Sequence, residues 1–278
     1  MNRTRRSLRV SWALFRLRTA ESLQYRVSAL ANGSVSVFWG LIEITVFSIL
    51  YIHGANSKDV MPMALPQMVT YLWLAQAVRG LHGNWGGIDG EILGKINTGD
   101  IGVELCRPMD LYIHWYAKTA AGRMGLLWWR GLITIIAAIC MPAAYRMGAP
   151  ASWAGFLLFV VSILSAFVLS VAFGMLMTAI RIGLTWGDGP VTMLYSIGQL
   201  FSGAFLPLQL WPDFMQGFLA IQPFAGTMDL PLRLYIGTIS PGQALAAIAL
   251  QTGWICVFVL TGRVLMHRKL KNVIVQGG

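Results

Sequence analysis

Residues 211–242, WPDFMQGFLAIQPFAGTMDLPLRLYIGTISPG, decide how many times this chain crosses a bilayer. Pro212, Pro223, Pro231 and Pro241 interrupt the stretch, and Asp213, Asp229 and Arg233 sit among its apolar residues. That composition is unsuited to an uninterrupted spanning helix, which tolerates neither repeated loss of backbone N–H groups nor charge at membrane depth. A crossing here would also carry Arg263, Arg268, Lys269 and Lys271 to the face that otherwise lacks positive residues. The stretch therefore reads as an outer re-entrant helical hairpin before the last span, buried against protein so that its broken backbone finds partners.

Working outward, the rest of the chain is dominated by apolar runs. Of 278 residues, 56% are hydrophobic and 12% charged, a balance that a water-facing surface cannot sustain. A hydrocarbon core of roughly 30 Å takes about 20 helical residues per crossing. Stretches 35–53, 66–84, 126–144, 152–180, 191–210 and 243–266 are the expected spans, which makes the chain an all-α polytopic membrane protein with six transmembrane helices. Alternating sides places 1–34, 85–125, 181–190 and 267–278 on one face, and of the 21 Lys and Arg only Lys58, Arg146 and Arg233 fall on the other. This asymmetry puts both termini in the cytoplasm. The formal charge of +10 follows from this topology, since the basic residues flank spans and form no continuous surface for nucleic acid. No polar interval is long enough for a separate core, so residues 1–278 read as a single membrane domain.

Residues 1–26 form a cytoplasmic amphipathic segment. Val10, Ala13, Leu14 and Leu17 recur at helical spacing, while Arg5, Arg9 and Arg16 share another face. The pattern fits a helix lying in the membrane surface, with Trp12 and Phe15 as anchors and the arginines toward anionic lipid. Arg9, Arg16 and Arg18 break the apolar core that a cleavable signal peptide would need.

Signals for chemistry are few. Gly86, Gly87, Gly90, Gly94 and Lys95 superficially suggest a phosphate loop. A P-loop, however, needs glycine where Asp89 stands and Ser or Thr where Ile96 stands. His53, His82, His114 and His267 form no metal-binding pair, and Cys106, Cys140 and Cys256 no zinc or disulfide pattern. No catalytic residue, metal site or resident cofactor is expected. Glu43, near the middle of the first span, has two readings of equal standing: a functional one, in which it attracts a cationic substrate or carries a proton, and a structural one, in which it is hydrogen-bonded to a neighbouring helix or held protonated by desolvation. Arg79 and His82, near the inner end of the second span, are expected to snorkel to the interface.

Two segments resemble the permease subunits of type-2 ATP-binding-cassette exporters, in particular the drug- and toxin-export branch with six-span permeases. Residues 96–109, INTGDIGVELCRPM, resemble that branch's glycine turn, acidic residue and closing Leu105-Cys106-Arg107-Pro108. Cys106 departs from the bulky aliphatic residue usual there. Gly203, Phe205, Leu206, Pro207, Leu208 and Pro212, then Pro223, Phe224 and Gly237, resemble the outer hairpin. The resemblance implies an exporter of a small hydrophobic, cationic or peptide-like compound, with multidrug or toxin efflux as its setting. It also implies a cytosolic ATP-binding-cassette ATPase dimer that holds ATP and Mg, and a second permease chain, identical or homologous, completing the oligomer. The location it implies is the inner (plasma) membrane of a prokaryotic cell. The stretch 85–125 would be the cytoplasmic coupling segment, with Asp89, Glu91, Asp100, Glu104 and Arg107 docking on the ATPase. Glu43, Phe201 and Phe205 would lie on the substrate pathway. Trp128 and Trp129 are further aromatic candidates, with interfacial anchoring as their ordinary role. Two other classes stay open on the residues alone: a membrane scaffold or sensor that binds a cytosolic partner without transport, and an intramembrane enzyme.

Reporter fusions test the parity argument. Alkaline phosphatase joined after Arg146 or Arg233 is expected to be active, and joined after Arg181 or Lys271 inactive; activity after Lys271 would require a seventh crossing.

Overall fold

A computed structural model describes residues 12–13, 15–17, 19–20, 26–53, 62–83, 87–106, 110–184 and 187–271. Every regular element among them is helical. Among the described residues, four helices are long and apolar enough to cross a membrane: α1 (Arg26–His53), α5 (Leu111–Cys140), α6 (Trp153–Ile182) and α10 (Pro241–Leu270). The first, third, fourth and sixth expected spans correspond to these helices. The other two differ from expectation.

The second expected span is α2 (Leu65–Val78) followed by a 3-10 turn over Arg79–His82. Fourteen α residues and four 3-10 residues rise roughly 29 Å together, close to the thickness of a hydrocarbon core. Unlike the long helices, α2 is buried continuously from Met68 to Val78. Glycines allow its close approach to neighbours. A Cβ on Gly40 of α1 would stand 2.9 Å from the Trp73 ring, and one on Gly131 of α5 3.2 Å from the Ala77 carbonyl oxygen. Side chains then tie its outer half down: Trp73 Nε1 donates to the Tyr145 carbonyl at 2.7 Å, and Thr70 Oγ1 accepts from Gly148 N at 2.9 Å.

The fifth expected span is α7 (Gly189–Leu200), only 12 residues long, succeeded by irregular chain through Pro207. The break has a local cause. Gly203 adopts φ +86°, a conformation that side chains disfavour, and its carbonyl accepts from Tyr71 Oη at 3.0 Å. Tyr71 also donates to Asp229 Oδ1 at 2.9 Å, and Asp229 accepts from Leu208 N at 3.2 Å and Arg233 Nη1 at 3.4 Å. A carboxylate with so many partners is one that the interior can hold.

The deciding stretch 211–242 is three short helical pieces and the start of a long helix: α8 (Asp213–Ile221), a 3-10 turn over Pro223–Thr227, α9 (Asp229–Ile236), and Pro241 opening α10. Each proline sits at or near a helix start, where its missing N–H is not needed. Gly237, at φ +79°, ends α9. The pieces are held against the spans: α9 lies on α6 and α2, and Gln251 of α10 donates to the carbonyls of Gly226 at 2.7 Å and Ser162 at 3.0 Å.

The third span starts earlier than expected. Asp110 caps α5 by accepting from Ile113 N at 3.1 Å, so residues 111–125, expected in the cytoplasmic segment, are the inner half of a 30-residue helix. At 1.5 Å per residue that helix is roughly 45 Å long, and its first turns project beyond a core of about 30 Å. The longest mutual packing is between α6 and α10. Outward faces stay apolar, with Phe38, Ile42, Val46 and Ile49 on α1 and Leu157, Val161, Leu164 and Val168 on α6 all exposed. Helices apolar on both their packed and exposed sides are what lipid requires. Of the N-terminal amphipathic segment, Trp12, Ala13, Phe15–Leu17, Thr19 and Ala20 are helical, with the Trp12 and Phe15 rings stacked at 5.5 Å. Arg5 and Arg9 lie outside the described residues.

Gly203→Ala should be severe, because its Cβ would meet Tyr71 Oη at 2.5 Å and Asp229 Cβ at 2.9 Å. Left-handed strain plus overpacking costs roughly 2–5 kcal/mol. Thermal unfolding in detergent is expected to show this loss, and an unchanged midpoint would contradict the described break.

Candidate functional site

The expectation that Arg79 snorkels to the interface is corrected by the structure, and of the readings of Glu43 it shows the carboxylate hydrogen-bonded to a neighbouring element. Arg79 turns inward. Its Nη2 donates to Glu43 Oε1 at 3.0 Å and to the Ala204 carbonyl at 2.8 Å, and its guanidinium lies 5.5 Å from the centre of the Phe205 ring. The cause is the 3-10 turn, which tightens the helix at Val78 and swings Arg79 toward α1. Glu43 is ten residues from His53 and Arg130 ten from Cys140, so both side chains leave their helices about 15 Å below the outer helix ends. The pair is therefore at membrane depth, where each charge depends on the other.

Beside this pair is a cavity of about 420 Å³. Arg79, Gly83 and Arg130 form one wall; Tyr195, Ser196, Gln199 and Phe205, from α7 and the break after it, form the other. The volume is in the range of small-molecule sites. Polar groups of the wall are locked by one another: Gln199 Nε2 donates to Tyr195 Oη at 2.5 Å, and Tyr195 Oη donates to the His82 carbonyl at 3.1 Å. Of the expected pathway residues, Phe205 lines the cavity and Glu43 touches it through Arg79. Phe201 does not line it; its ring packs on Trp211 and Phe218, each at 5.5 Å, under the outer segment. Arg130 is the functional candidate that sequence reasoning passed over. Its signal was visible as a basic residue within the third span, about 15 Å from that helix's outer end.

The inner side carries a second arrangement. α3 (Gly90–Thr98) is capped by Asp89, which accepts from Glu91 N at 3.0 Å and Ile92 N at 3.2 Å. Gly99, at φ +82°, ends it, and α4 (Ile101–Leu105) follows. Lys118 of α5 reaches Glu91 at 2.6 Å and Asp89 at 3.9 Å. Lys95 reaches Glu104 at 2.5 Å and Glu91 at 3.3 Å, and His114 lies 3.8 Å from Glu104. Its hydrogen bond to Glu104 holds the Lys95 ammonium above its ordinary range. Stability from a raised base is complete below its unfolded value, about 10.4, and is lost only as pH rises through the raised one, so this tie is intact at neutral pH.

Asp89, Glu91 and Glu104 thus brace α3 and α4 against α5 and each other. Asp100 accepts from Thr98 Oγ1 at 2.7 Å and is exposed. Arg107 lies outside the described residues. The outward surface of α4 is apolar, with Val103 63% and Leu105 43% exposed.

Arg123 of α5 joins the two regions. Only 4% exposed, it donates to the carbonyls of Leu81 and Gly87, both at 2.9 Å, and to that of Ser170. Gly174 of α6 makes the room, since a Cβ there would stand 2.6 Å from the Gly87 carbonyl oxygen and collide with the guanidinium.

Comparison with known proteins gives one finding over most of the chain: a family model described as ABC-2 family transporter protein matches residues 37–274. No curated protein and no solved structure matches. The resemblance drawn from residues 96–109 and 203–237 is borne out at the level of this family.

The buried pair gives a double-mutant test. Arg79→Leu alone leaves the Glu43 carboxylate uncompensated and is expected to lower stability by roughly 1–3 kcal/mol, below the cost of breaking a fully buried pair because both groups keep some exposure. Adding Glu43→Leu should recover most of that loss. Thermal unfolding of the four proteins reads the coupling; additive effects would show that the two charges do not stabilise one another.

Proposed function

The chain belongs to the ABC-2 family of transporter proteins, a family of multi-pass membrane proteins that work with an ATPase, and on that premise we propose that it is the permease subunit of an ATP-driven exporter. The family match over residues 37–274 carries this reading. In it, the protein lies in a prokaryotic inner membrane with both termini cytoplasmic and crosses six times. The two crossings beyond the four long helices are α2 with its 3-10 turn and the broken stretch from α7 to Leu210. The support for six is the length of α2 and the charge parity of the sequence. Residues 211–242 are then a hairpin confined to the outer leaflet.

ATP and Mg belong to a cytosolic ATPase dimer, and a second permease chain, identical or homologous, completes the pathway. The docking surface is the outward side of α3 and α4: Asp100, Val103 and Leu105 meet the ATPase, while Asp89, Glu91 and Glu104 keep the segment rigid. Closure of the ATPases moves this segment as a body. Arg123 grips the Gly87 and Leu81 carbonyls, so the movement reaches the 3-10 turn and hence Arg79 and the cavity wall. The cargo is a small hydrophobic or peptide-like compound held in the 420 Å³ cavity. A cationic cargo fits poorly, because two arginines line that cavity.

Co-expression with an ATP-binding-cassette ATPase encoded beside this chain should give a co-purifying complex and vanadate-sensitive export from inverted vesicles. Val103→Asp with Leu105→Asp is expected to cut ATPase recovery roughly tenfold, as loss of an interface anchor does, with the permease still folded. Transport that proceeds with no ATPase subunit would overturn the reading.

A further inference from the structure

The cavity wall carries more positive charge than the protein neutralises. Arg79 has a carboxylate partner in Glu43, but Arg130 has a side-chain contact only with Gln76 Oε1, at 3.5 Å, the outer limit of a hydrogen bond. Its Nε is buried without a partner, as is that of Arg79. Among the described residues, the charged groups that act on Arg130 are Arg79, which repels it, and Glu43, whose Oε1 is held by Arg79 and whose Oε2 is buried without a hydrogen-bond partner. Two guanidiniums and one carboxylate leave a net positive charge at membrane depth. Arginine cannot discharge that excess by releasing a proton under physiological conditions.

The geometry points to an anion-binding subsite: the Arg130 guanidinium, with Arg79 beside it, receives the carboxylate, sulfonate or phosphate of an amphiphilic ligand whose apolar body lies on the Phe205 ring. The planar fork of arginine suits two oxygens of one oxyanion. Ser196 and Gln199 add polar contacts on the facing wall, and Phe205, 56% exposed, offers the apolar surface. The ligand chemistry is the same whether the oxyanion belongs to a cargo molecule or to a lipid headgroup. Calling it cargo rests on the permease reading; the subsite itself does not.

The test is equilibrium dialysis of the purified chain in phosphatidylcholine nanodiscs against three probes with one ring system: 2-naphthoate, 2-naphthylmethanol and 2-naphthylmethylammonium. With binding to empty discs subtracted, naphthoate should bind about tenfold or more tightly than the ammonium, the scale of one charge-assisted contact. Arg130→Gln should abolish that preference, Arg130→Lys should keep it, and Arg146→Gln, on the exposed loop after α5, should leave it unchanged. Replacing a third of the lipid by phosphatidylglycerol separates the sources: lost naphthoate binding identifies a lipid headgroup as the natural anion, and retained binding a soluble one. Equal binding of the three probes, preference for the ammonium, or a preference that survives Arg130→Gln would overturn the proposal. If Arg130→Gln does not fold, the wild-type and Arg130→Lys comparisons decide. No ATPase is needed, so failure of ATP-driven export would remove the permease reading and leave this result standing. ATP-driven export without naphthoate preference would remove only the subsite.

Discussion

A guanidinium held by three backbone carbonyls is the constraint on which the rest depends. Arg123 is always charged and almost entirely buried, and no carboxylate contacts it directly. Its charge is met by carbonyl dipoles, which are strong partners where water is excluded. Two of those carbonyls come from places where helical bonding has ended, at Leu81 in the 3-10 turn and Gly87 in the following loop, and so have lone pairs to offer. The third, Ser170, is in α6, whose Gly174 provides the gap. One side chain therefore ties α5 to α6 and to the chain between the 3-10 turn and α3. Its removal would take the donor from the Leu81 and Gly87 carbonyls and leave a void between α5 and α6.

The same economy of charge recurs through the molecule. Asp229 is held by Tyr71, Leu208 and Arg233; Glu43 by Arg79; Glu104 by Lys95. In each case an acid is set against a donor on another element or another turn, and the pairs lie at different depths. The Asp229 group joins α9 to α2, the Glu43 pair joins α1 to the 3-10 turn, and the Glu104 pair joins α4 to α3. Arg130 differs from these groups and from Arg123 in having, among the described contacts, one long hydrogen bond to Gln76.

The four long helices were legible from hydropathy and charge because lipid imposes a length and an apolar surface on any exposed span, whatever its neighbours. The family resemblance was legible because the glycine turn at 99 and the broken stretch after Gly203 are set by local backbone needs. The second and fifth spans were harder. α2 is enclosed by protein, so its apolar run says nothing of where helical geometry changes at Arg79. α7 stops at 12 residues, and the chain just beyond it is held at the Gly203 carbonyl by Tyr71, far away in sequence. The Glu43–Arg79 pair was missed for the same reason: it depends on how far two helices are rotated and slid past each other. Phe201 and Phe205 look equivalent in the sequence, four residues apart. The break between them sends one ring toward Trp211 and the other over Arg79.

The enclosure of α2 bears on how the protein is made. A helix of 14 residues with no lipid-facing stripe gains little from entering the bilayer alone, since most of its apolar surface is matched to α1 and α5 and not to acyl chains. α1 precedes it during synthesis, but α5 emerges only some fifty residues later. Until then Gly131 and the Arg123 clasp are absent and α2 is half-covered. Biogenesis therefore passes through a stage in which the segment that bears one wall of the cavity waits, incompletely housed, for a helix still inside the ribosome or the insertion machinery.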